Sequence, residues 1–374
     1  MKPNNPFLIN NYHSPEYFCD REQEVVTITQ ALYNERNLTL ISPRRMGKTG
    51  LIHHVFCQMK QKNPDIVVFY MDIFSTQNLR EFVQLFASTV FEKLDTMPKR
   101  TIRRVGKFIK SFRPMVTIDE LTGAPKVSVD ISPAKEEVSL REIFSYLKSY
   151  GKKCYIAIDE FQQIAEYDEK RVEALLRSHI QMMTNVNFIF SGSKQHIMQD
   201  MFMSAKRPFY QSTQILSIDK IDRAKYFRFA DGFFKAQNKR LSNETFSYIY
   251  DEFNGHTWYI QSILNRLYSY REKPDINLVN QVVSEIVNES GYAYESLLSA
   301  YSANNIRLLK AVAKEVCVKE INAGNFIVRH NLKTASSVNV SLKRLIDKEL
   351  LYKSSQGYIV YDRFMAIWLR RLPY

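Results

Sequence analysis

Two patterns of apolar residues alternate along the first 220 residues of the chain. Short apolar runs rich in β-branched and aromatic residues predict buried strands, and longer stretches with helical spacing predict amphipathic helices. The predicted strands cover residues 37–41, 66–73, 154–160, 186–191 and 213–218, and the predicted helices cover 22–34, 48–60, 79–94, 134–150 and 171–183. Strands and helices that alternate in this order are typical of an α/β fold with a parallel sheet.

Helical spacing alone continues beyond residue 222. We predict helices at 223–236, 243–254, 257–270 and 277–287, and a helical subdomain that follows the last strand of an α/β core is expected to act as a lid. The remaining stretch predicts helices at 306–316, 326–330 and 335–349, followed by a hairpin with strands at 350–353 and 358–361. Three helices followed by a hairpin indicate a winged helix-turn-helix.

These patterns divide the chain into an α/β core at 1–220, a helical lid at 221–290 and a winged helix domain at 300–374. Residues 97–133 are predicted to be an insertion in the core. It begins with an amphipathic helix at 99–113, which carries seven basic residues and no acidic one, and ends with a hairpin at 115–132. The cationic face of this helix is consistent with a solvated surface, with phosphate backbone or with an acidic partner.

Composition narrows the class of protein. With 374 residues, of which 45% are hydrophobic, the chain can bury more than one core. The four cysteines have no CxxC spacing, which predicts free thiols in a reducing compartment. No apolar run approaches the ~20 residues of a membrane span, so we expect a cytoplasmic protein without a membrane contact. The net charge of +13 is compatible with a polyanionic partner and equally with a solubilising surface.

The loop between the first predicted strand and the next helix carries the clearest chemical motif, SPRRMGKT at 42–49. The usual phosphate-binding pattern is G-x-x-x-x-G-K-[ST], in which backbone N–H groups and a helix N-terminus surround the phosphates. Lys48 is expected to reach the β- and γ-phosphates, and the Thr49 hydroxyl to ligate Mg²⁺. Ser42 stands at the first glycine position, so its backbone should avoid left-handed angles or be strained. A chance GKT in a basic loop is the alternative.

A second motif closes the apolar run CYIAI, where Asp159 and Glu160 follow directly. Asp159 is expected to hold Mg²⁺ through its water shell, and Glu160 to polarise the water that attacks the γ-phosphate. A solvated Asp-Glu pair at a strand end is the alternative. The next strand ends in the small polar residues of NFIFSGS, where Ser191 or Ser193 either senses the γ-phosphate or serves ordinary turn chemistry.

With these motifs in this order, the chain resembles the archaeal-type ATPase family in the STAND and AAA+ branch of the P-loop NTPases. The segments that carry the resemblance run nearly from end to end: YFCDREQE, SPRRMGKTGLI, YIAIDEFQQI, FIFSGS, RPFYQS, GHTWYIQ, SSVNVSLKRLIDKELL and YIVYDRFMAIWLRR. The resemblance implies a P-loop NTPase parallel sheet of AAA+/STAND type, a helical lid, and a C-terminal winged helix-turn-helix.

The resemblance also implies ATP and Mg²⁺ as cofactors, with roles for particular residues. The residues assigned to ATP are Pro43, Arg44, Arg45, Met46, Gly47, Lys48, Thr49 and Gly50, with Asp20, Arg21 and Ser191 close to them. Thr49 and Asp159 would hold the metal, and Glu160, Lys48 and Arg207 would be catalytic. Arg207 is the expected arginine finger, acting in cis or from a neighbouring subunit. The chain departs from the family at Ser42, at Thr257, where proline is usual, and near Gln211, where an arginine is usual.

We expect a slow Mg²⁺-dependent ATPase that acts as a nucleotide-driven switch coupled to the winged helix. Slow turnover is expected if assembly must supply the finger, since such an arginine contributes ~10³–10⁵ in rate. The rival hypothesis is a DNA-binding regulator that binds ATP without significant hydrolysis. A small-molecule kinase is disfavoured because no acceptor-substrate motif is evident. The partner of the winged helix is either duplex DNA or a protein. For the chain as a whole, a homo-oligomer and a complex with another protein both stay open. The residues expected to face DNA are Ser336, Ser337, Asn339, Ser341, Lys343, Arg344 and Lys353.

Overall fold

A computed structural model describes residues 2–94, 111–118, 125–131, 134–354 and 356–373 of the chain. Their contacts divide the chain into two compact units, residues 10–226 and residues 2–9 together with 227–374. The ranges predicted as lid and winged helix therefore both fall, apart from residues 221–226, in the second unit. Within these described ranges, no helix is both long and apolar enough to cross a membrane.

The first unit is built on a parallel sheet. The strands of this unit are β1 (Leu38–Ile41), β2 (Val67–Asp72), β3 (Phe112–Ile118), β4 (Pro125–Ile131), β5 (Cys154–Asp159), β6 (Val186–Gly192) and β7 (Gln214–Ser217). Five of them form one sheet in the order β2-β5-β6-β1-β7, and every neighbouring pair is parallel. The central strands β1, β5 and β6 are buried along their whole length, as strands covered on both faces must be. The prediction of a parallel α/β sheet is confirmed.

Helices cover both faces of this sheet. They are α1 (Glu22–Tyr33), α2 (Lys48–Lys62), α3 (Leu79–Leu94), α4 (Glu136–Ser149), α5 (Val172–Ile180) and α6 (Gln195–Met203), with short 3₁₀ helices at Pro15–Tyr17 and Phe161–Glu166. Side chains of α1 and α2 form one hydrophobic core, which includes Leu51 and Val55. Side chains of α3 to α6 form another on the opposite face, which includes Phe82 and Leu147. The helix α6 and the 3₁₀ helix after β5 were not predicted.

The predicted insertion is partly described. β3 and β4 form the expected antiparallel hairpin, with Val116 opposite Val127. β3 begins at Phe112, which pairs with Ile131, so the prediction of helix at 112–113 is wrong. At these two residues, pairing with β4 outweighs the helical spacing of the local sequence. Residues 99–110 of the predicted basic helix lie outside the part of the chain that the structure describes.

The second unit is helical, apart from one hairpin. Its helices are α7 (Arg223–Ala236), α8 (Asn243–Glu252), α9 (Thr257–Ser269), α10 (Ile276–Leu298), α11 (Ala303–Glu315), α12 (Gly324–Arg329), α13 (Ala335–Asp347) and α14 (Arg363–Arg371), of which α7 begins in the first unit. Asp275, Ser302 and Thr334 cap their helices by accepting a hydrogen bond from the backbone N–H three residues on. α10 is much longer than the helix predicted at 277–287, and α14 was not predicted.

The winged helix is confirmed. α11, α12 and α13 are followed by β8 (Leu351–Lys353) and β9 (Tyr358–Val360), which pair antiparallel, and Val318 adds an isolated bridge to Tyr358. α13 buries Val338, Leu342 and Leu345 on one face. The assignment of Ser341 to the exposed polar face is wrong, because this residue is buried with the apolar ones.

α14 joins the helical subdomain to the winged helix. The backbone N–H of Arg363 donates to the Tyr259 hydroxyl at 3.1 Å. The rings of Phe253 and Phe364 pack edge to face with centroids 5.3 Å apart. Because Phe253, directly after α8, and Tyr259 in α9 both contact α14, the helical subdomain and the winged helix have one continuous core.

We predict that Gly192→Ala destabilises the first unit, because a Cβ at this position would overlap Gln162 Oε1 and lie 2.5 Å from Met198 Sδ. Overpacking of this kind costs about 1–3 kcal/mol of unfolding free energy. The matched control is Gly232→Ala in α7, where a Cβ meets nothing within 4 Å and alanine favours the helix. Urea denaturation of both variants tests this, and a Gly192→Ala protein as stable as wild type would contradict the described packing.

Candidate functional site

The loop at 42–47 links the end of β1 to the start of α2. Gly47 has a φ of 88° and directly precedes the helix, so the left-handed turn falls on the residue that adopts it most easily. Arg45 is left-handed as well, at 67°. Ser42 is not among the residues with positive φ, as expected from a serine at this corner, and it is fully buried.

Lys48 is the first residue of α2, and its side chain turns back into the loop. Its ammonium donates to the Ser42 carbonyl at 3.0 Å, the Ser42 hydroxyl at 3.2 Å and the Pro43 carbonyl at 3.1 Å. All three acceptors are neutral, and Lys48 makes no ion pair within the described ranges. Burial lowers the pKa of Lys48, while the carboxylates of Asp159 and Glu160 oppose that shift. The loop therefore encloses a buried cation that lacks an anion in direct contact.

The hydroxyl of Thr49 meets the carboxylate that ends β5. It donates to Asp159 Oδ2 at 2.7 Å, and the Tyr70 hydroxyl donates to the same oxygen at 2.9 Å. Asp159 Oδ1 accepts the backbone N–H of Glu160 at 3.0 Å. Asp159 is only 3% exposed, whereas Thr49 lies at the surface. The strand order brings the two sequence motifs together although 110 residues separate them.

Glu160 lies one residue beyond β5 in a left-handed conformation, with φ at 54°. Its Oε2 accepts the Ser193 hydroxyl at 2.8 Å and also the side-chain amide of Gln162. Arg44 Nε donates to the Ser193 hydroxyl at 3.3 Å. Ser193 therefore links the loop before α2 to the second carboxylate. Oε1 of Glu160 has no hydrogen bond to any residue of the described chain.

The two N-terminal residues assigned to the site, Asp20 and Arg21, make different contacts. Arg21 is buried, donates to the Met46 carbonyl at 3.3 Å and pairs with Glu24 at 2.8 Å. Asp20 pairs with Lys225 at 2.6 Å. Asp20 and Arg21 are both left-handed, with φ of 57° and 73°. Arg21 therefore contacts the loop directly, whereas Asp20 is engaged with Lys225.

Ser191 and Arg207, the two remaining predicted residues, lie in different surroundings. Ser191 lies in β6 opposite Leu40, and its hydroxyl is buried without a hydrogen-bond partner among the described residues. Arg207 contacts α5 and α6 instead of the loop. Its guanidinium is bonded to Glu173, and its Nε lies 3.4 Å from Asp200 Oδ2. The finger role of Arg207 remains a prediction, and it requires this residue to leave both acids.

Sequence reasoning missed Tyr70 and Gln162. Tyr70 lies within β2, whose apolar and aromatic pattern predicts only a strand, so no local signal separates it from a packing residue. Gln162 belongs to the unpredicted 3₁₀ helix Phe161–Glu166. The glycine at position 192 is the one sequence feature related to Gln162, because the side chain of Gln162 occupies the space where a Cβ of residue 192 would lie.

Residues 18–263, more than half of the chain, match the family model described as "ATPase domain predominantly from Archaea". The chain belongs to the archaeal ATPase family. Residues 292–371 match a second model, described as "Probable winged helix domain". An ATP-binding protein of Methanocaldococcus jannaschii is 25% identical over 306 residues, which covers 75% of this ATPase-family chain and 77% of the relative.

Solved structures share the fold of this family member. The Walker-type ATPase of Pyrococcus abyssi has a TM-score of 0.66 at 16% identity, with 98% of this chain and 99% of that one covered. The Aeropyrum pernix ORC1 protein in complex with DNA has a TM-score of 0.55 at 11% identity, with 98% and 96% covered. At these identities the likeness concerns the fold, a P-loop NTPase sheet followed by a winged helix.

We predict that Arg207→Gln lowers the free energy of unfolding by about 1–3 kcal/mol, because it leaves the partly buried Glu173 without its cation. Burial already raises the pKa of Glu173, and Arg207 opposes that shift. The double variant Arg207→Gln/Glu173→Gln should recover part of the loss, as measured by urea denaturation.

Arg177→Gln is the control for this experiment, since Arg177 of α5 makes an exposed hydrogen bond to Gln181, directly after that helix. Its effect should stay within about 0.5 kcal/mol. Equal stability of Arg207→Gln and wild type would show that the pair with Glu173 is not structural and that Arg207 is available for another role.

Proposed function

We propose that this chain binds ATP at the loop 42–49 and hydrolyses it slowly in the presence of Mg²⁺. The observation that carries the proposal is the buried ammonium of Lys48, whose hydrogen bonds among the described residues all go to neutral oxygens. A buried cation with no anion in direct contact is costly, and the β- and γ-phosphates of a nucleotide would supply that contact. The relatedness to an ATP-binding protein supports ATP as the nucleotide.

The donor set fits Mg²⁺. This ion keeps several waters and binds through one or two protein oxygens together with phosphates, so it does not need an all-protein cage. Thr49 donates its own proton to Asp159, which leaves lone pairs of the Thr49 oxygen for the metal. Asp159 Oδ2 already accepts two hydrogen bonds, so Asp159 would hold metal-bound water instead of the metal itself. When bound, the ion would neutralise charge on the phosphates.

Glu160 is the proposed general base. Ser193 and Gln162 hold one of its carboxylate oxygens, and Oε1 is left to accept a proton from the attacking water. Lys48 would leave its three neutral acceptors and contact phosphate oxygens. Arg207 is bonded to Glu173, so slow turnover in the isolated chain is consistent with a finger that assembly must release or supply.

We predict that Glu160→Gln keeps ATP affinity within about threefold but lowers the rate of phosphate release at least ~100-fold, because the amide cannot accept the proton. The amide still accepts a hydrogen bond from Ser193, so the local structure is retained. Glu166→Gln is the control, since Glu166 is bonded to Lys194 at the surface. Calorimetry measures affinity and a phosphate assay measures turnover. Unchanged phosphate release in Glu160→Gln would remove the hydrolytic proposal.

We also propose that the winged helix binds duplex DNA, and the distribution of charge favours this. Residues 300–374 contain 13 Lys and Arg but 5 Asp and Glu, a net +8 of the chain's +13. Residues 97–133 contribute the remaining +5, and all other residues sum to zero. The exposed side chains of α13 include Ser336, Asn339, Lys343 and Arg344, and Lys353 lies on the wing. Such charge supports contact with DNA phosphates.

The shared core in the second unit supports coupling between nucleotide and winged helix. Because α14 packs against both the helical subdomain and α11, a movement of the subdomain would carry the winged helix with it. ATP binding alone would suffice for such a switch, which is the alternative in which the protein is a DNA-binding regulator. Turnover measured with and without DNA separates these two functions.

We predict that Lys343→Gln weakens binding to duplex DNA and lowers the slope of log K against log salt by about 1, since one phosphate contact is lost. Lys310→Gln is the control, because Lys310 belongs to α11 and donates to the Pro373 carbonyl. Fluorescence anisotropy over a range of salt concentrations measures both. No binding to duplex DNA by the wild type, or equal slopes for all three proteins, would contradict DNA contact through α13.

A further inference from the structure

Tyr70 is the second donor to the carboxylate of Asp159. Tyr70 lies opposite Ala157 in the β2–β5 ladder, and Asp72 lies opposite Asp159. Tyr70 and Asp159 are thus diagonal neighbours on the same face of the sheet, within reach of a long side chain. The phenol hydroxyl donates to Oδ2 at 2.9 Å, beside the Thr49 hydroxyl at 2.7 Å. The two donors come from different elements, β2 and α2.

Packing holds the phenol in place. α2 covers this face of the sheet, and the ring of His53, one helical turn after Thr49, lies 4.5 Å from the Tyr70 ring between centroids. Burial, together with the Asp159 carboxylate, raises the pKa of Tyr70 far above its usual range. The contact with the His53 ring and the hydrogen bond to Oδ2 therefore hold Tyr70 as a donor to Asp159.

Both oxygens of Asp159 are oriented by these bonds. Oδ2 accepts Tyr70 and Thr49, and Oδ1 accepts the backbone N–H of Glu160. Without the phenol, Oδ2 would keep one donor, and that donor is a side chain at the surface. The carboxylate would then sample more orientations, and the Thr49 hydroxyl would lose its fixed acceptor. Partners of this kind behind a metal site commonly alter metal affinity 10- to 100-fold.

We propose that Tyr70 is a positioning residue for Mg²⁺. It fixes the orientation of the Asp159 carboxylate, which accepts a hydrogen bond from the Thr49 hydroxyl and would accept one from metal-bound water. The proposal rests on the proposed binding of ATP and Mg²⁺ at this site. It assigns Tyr70 no contact with nucleotide or metal. Loss of the Tyr70 hydroxyl should therefore weaken Mg²⁺ binding and leave the interaction of the phosphates with Lys48 in the absence of metal unchanged.

The test is Tyr70→Phe, which removes the hydroxyl and keeps the ring against His53. Calorimetric titration of Mg²⁺ into the protein saturated with a non-hydrolysable ATP analogue should give an apparent affinity about 10-fold weaker than wild type. Binding of the analogue in EDTA should change less than about twofold. Tyr12→Phe is the control, because it removes a hydroxyl that contacts His54 on the same helix at 3.1 Å.

A double variant separates positioning from a general effect on the fold. If Tyr70 acts through Asp159, Tyr70→Phe should weaken Mg²⁺ no further when Asp159→Asn is already present. Additive losses, a wild-type Mg²⁺ affinity in Tyr70→Phe, or loss of analogue binding in EDTA as well would each overturn the proposal. Failure of the wild-type protein to bind the analogue with or without Mg²⁺ would instead reject the proposed function.

Discussion

The hydrogen bond from the Thr49 hydroxyl to Asp159 is the contact on which the rest of the site depends. It joins the first turn of α2 to the last residue of β5, two strands away from β1 in the sheet. The strand order alone brings these groups to one edge, because all five strands are parallel and end on the same side. Once they meet, Lys48 lies beside two carboxylates without touching them, and Glu160 follows directly on the next residue.

The backbone around this contact departs from ordinary conformations. Arg45, Gly47 and Glu160 all have positive φ, and of these only Gly47 adopts it without a steric cost. Non-glycine residues in such conformations persist where surrounding contacts fix them, and they cluster at functional sites. Ser193 provides one such contact, since it receives Arg44 and holds Glu160. Ser193, directly after β6, thereby links the loop before α2 to the Glu160 carboxylate without a bound ligand.

Local patterns predicted the phosphate loop, the carboxylate strand, the parallel sheet and the winged helix, because each has a short signature or a repeated period. Long-range pairing was harder: residues 112–113 have helical spacing yet join β3. α14 has one of the most buried sequences in the second unit, but its nine residues follow a hairpin that already completed the expected motif. Tyr70 was missed because its role exists only after β2 and β5 align. Ser341 was misassigned because it belongs to the buried face of α13.

The most direct measurement of the central claim is a calorimetric titration of ATP into the wild-type protein and into Lys48→Ala, each with Mg²⁺ and with EDTA. If loop and carboxylates converge on one triphosphate and its metal, wild type should bind one ATP per chain, more tightly with Mg²⁺ than without. Lys48→Ala should lose most of that affinity under both conditions. No heat from the wild type, or binding that is indifferent to both Mg²⁺ and Lys48, would contradict the account.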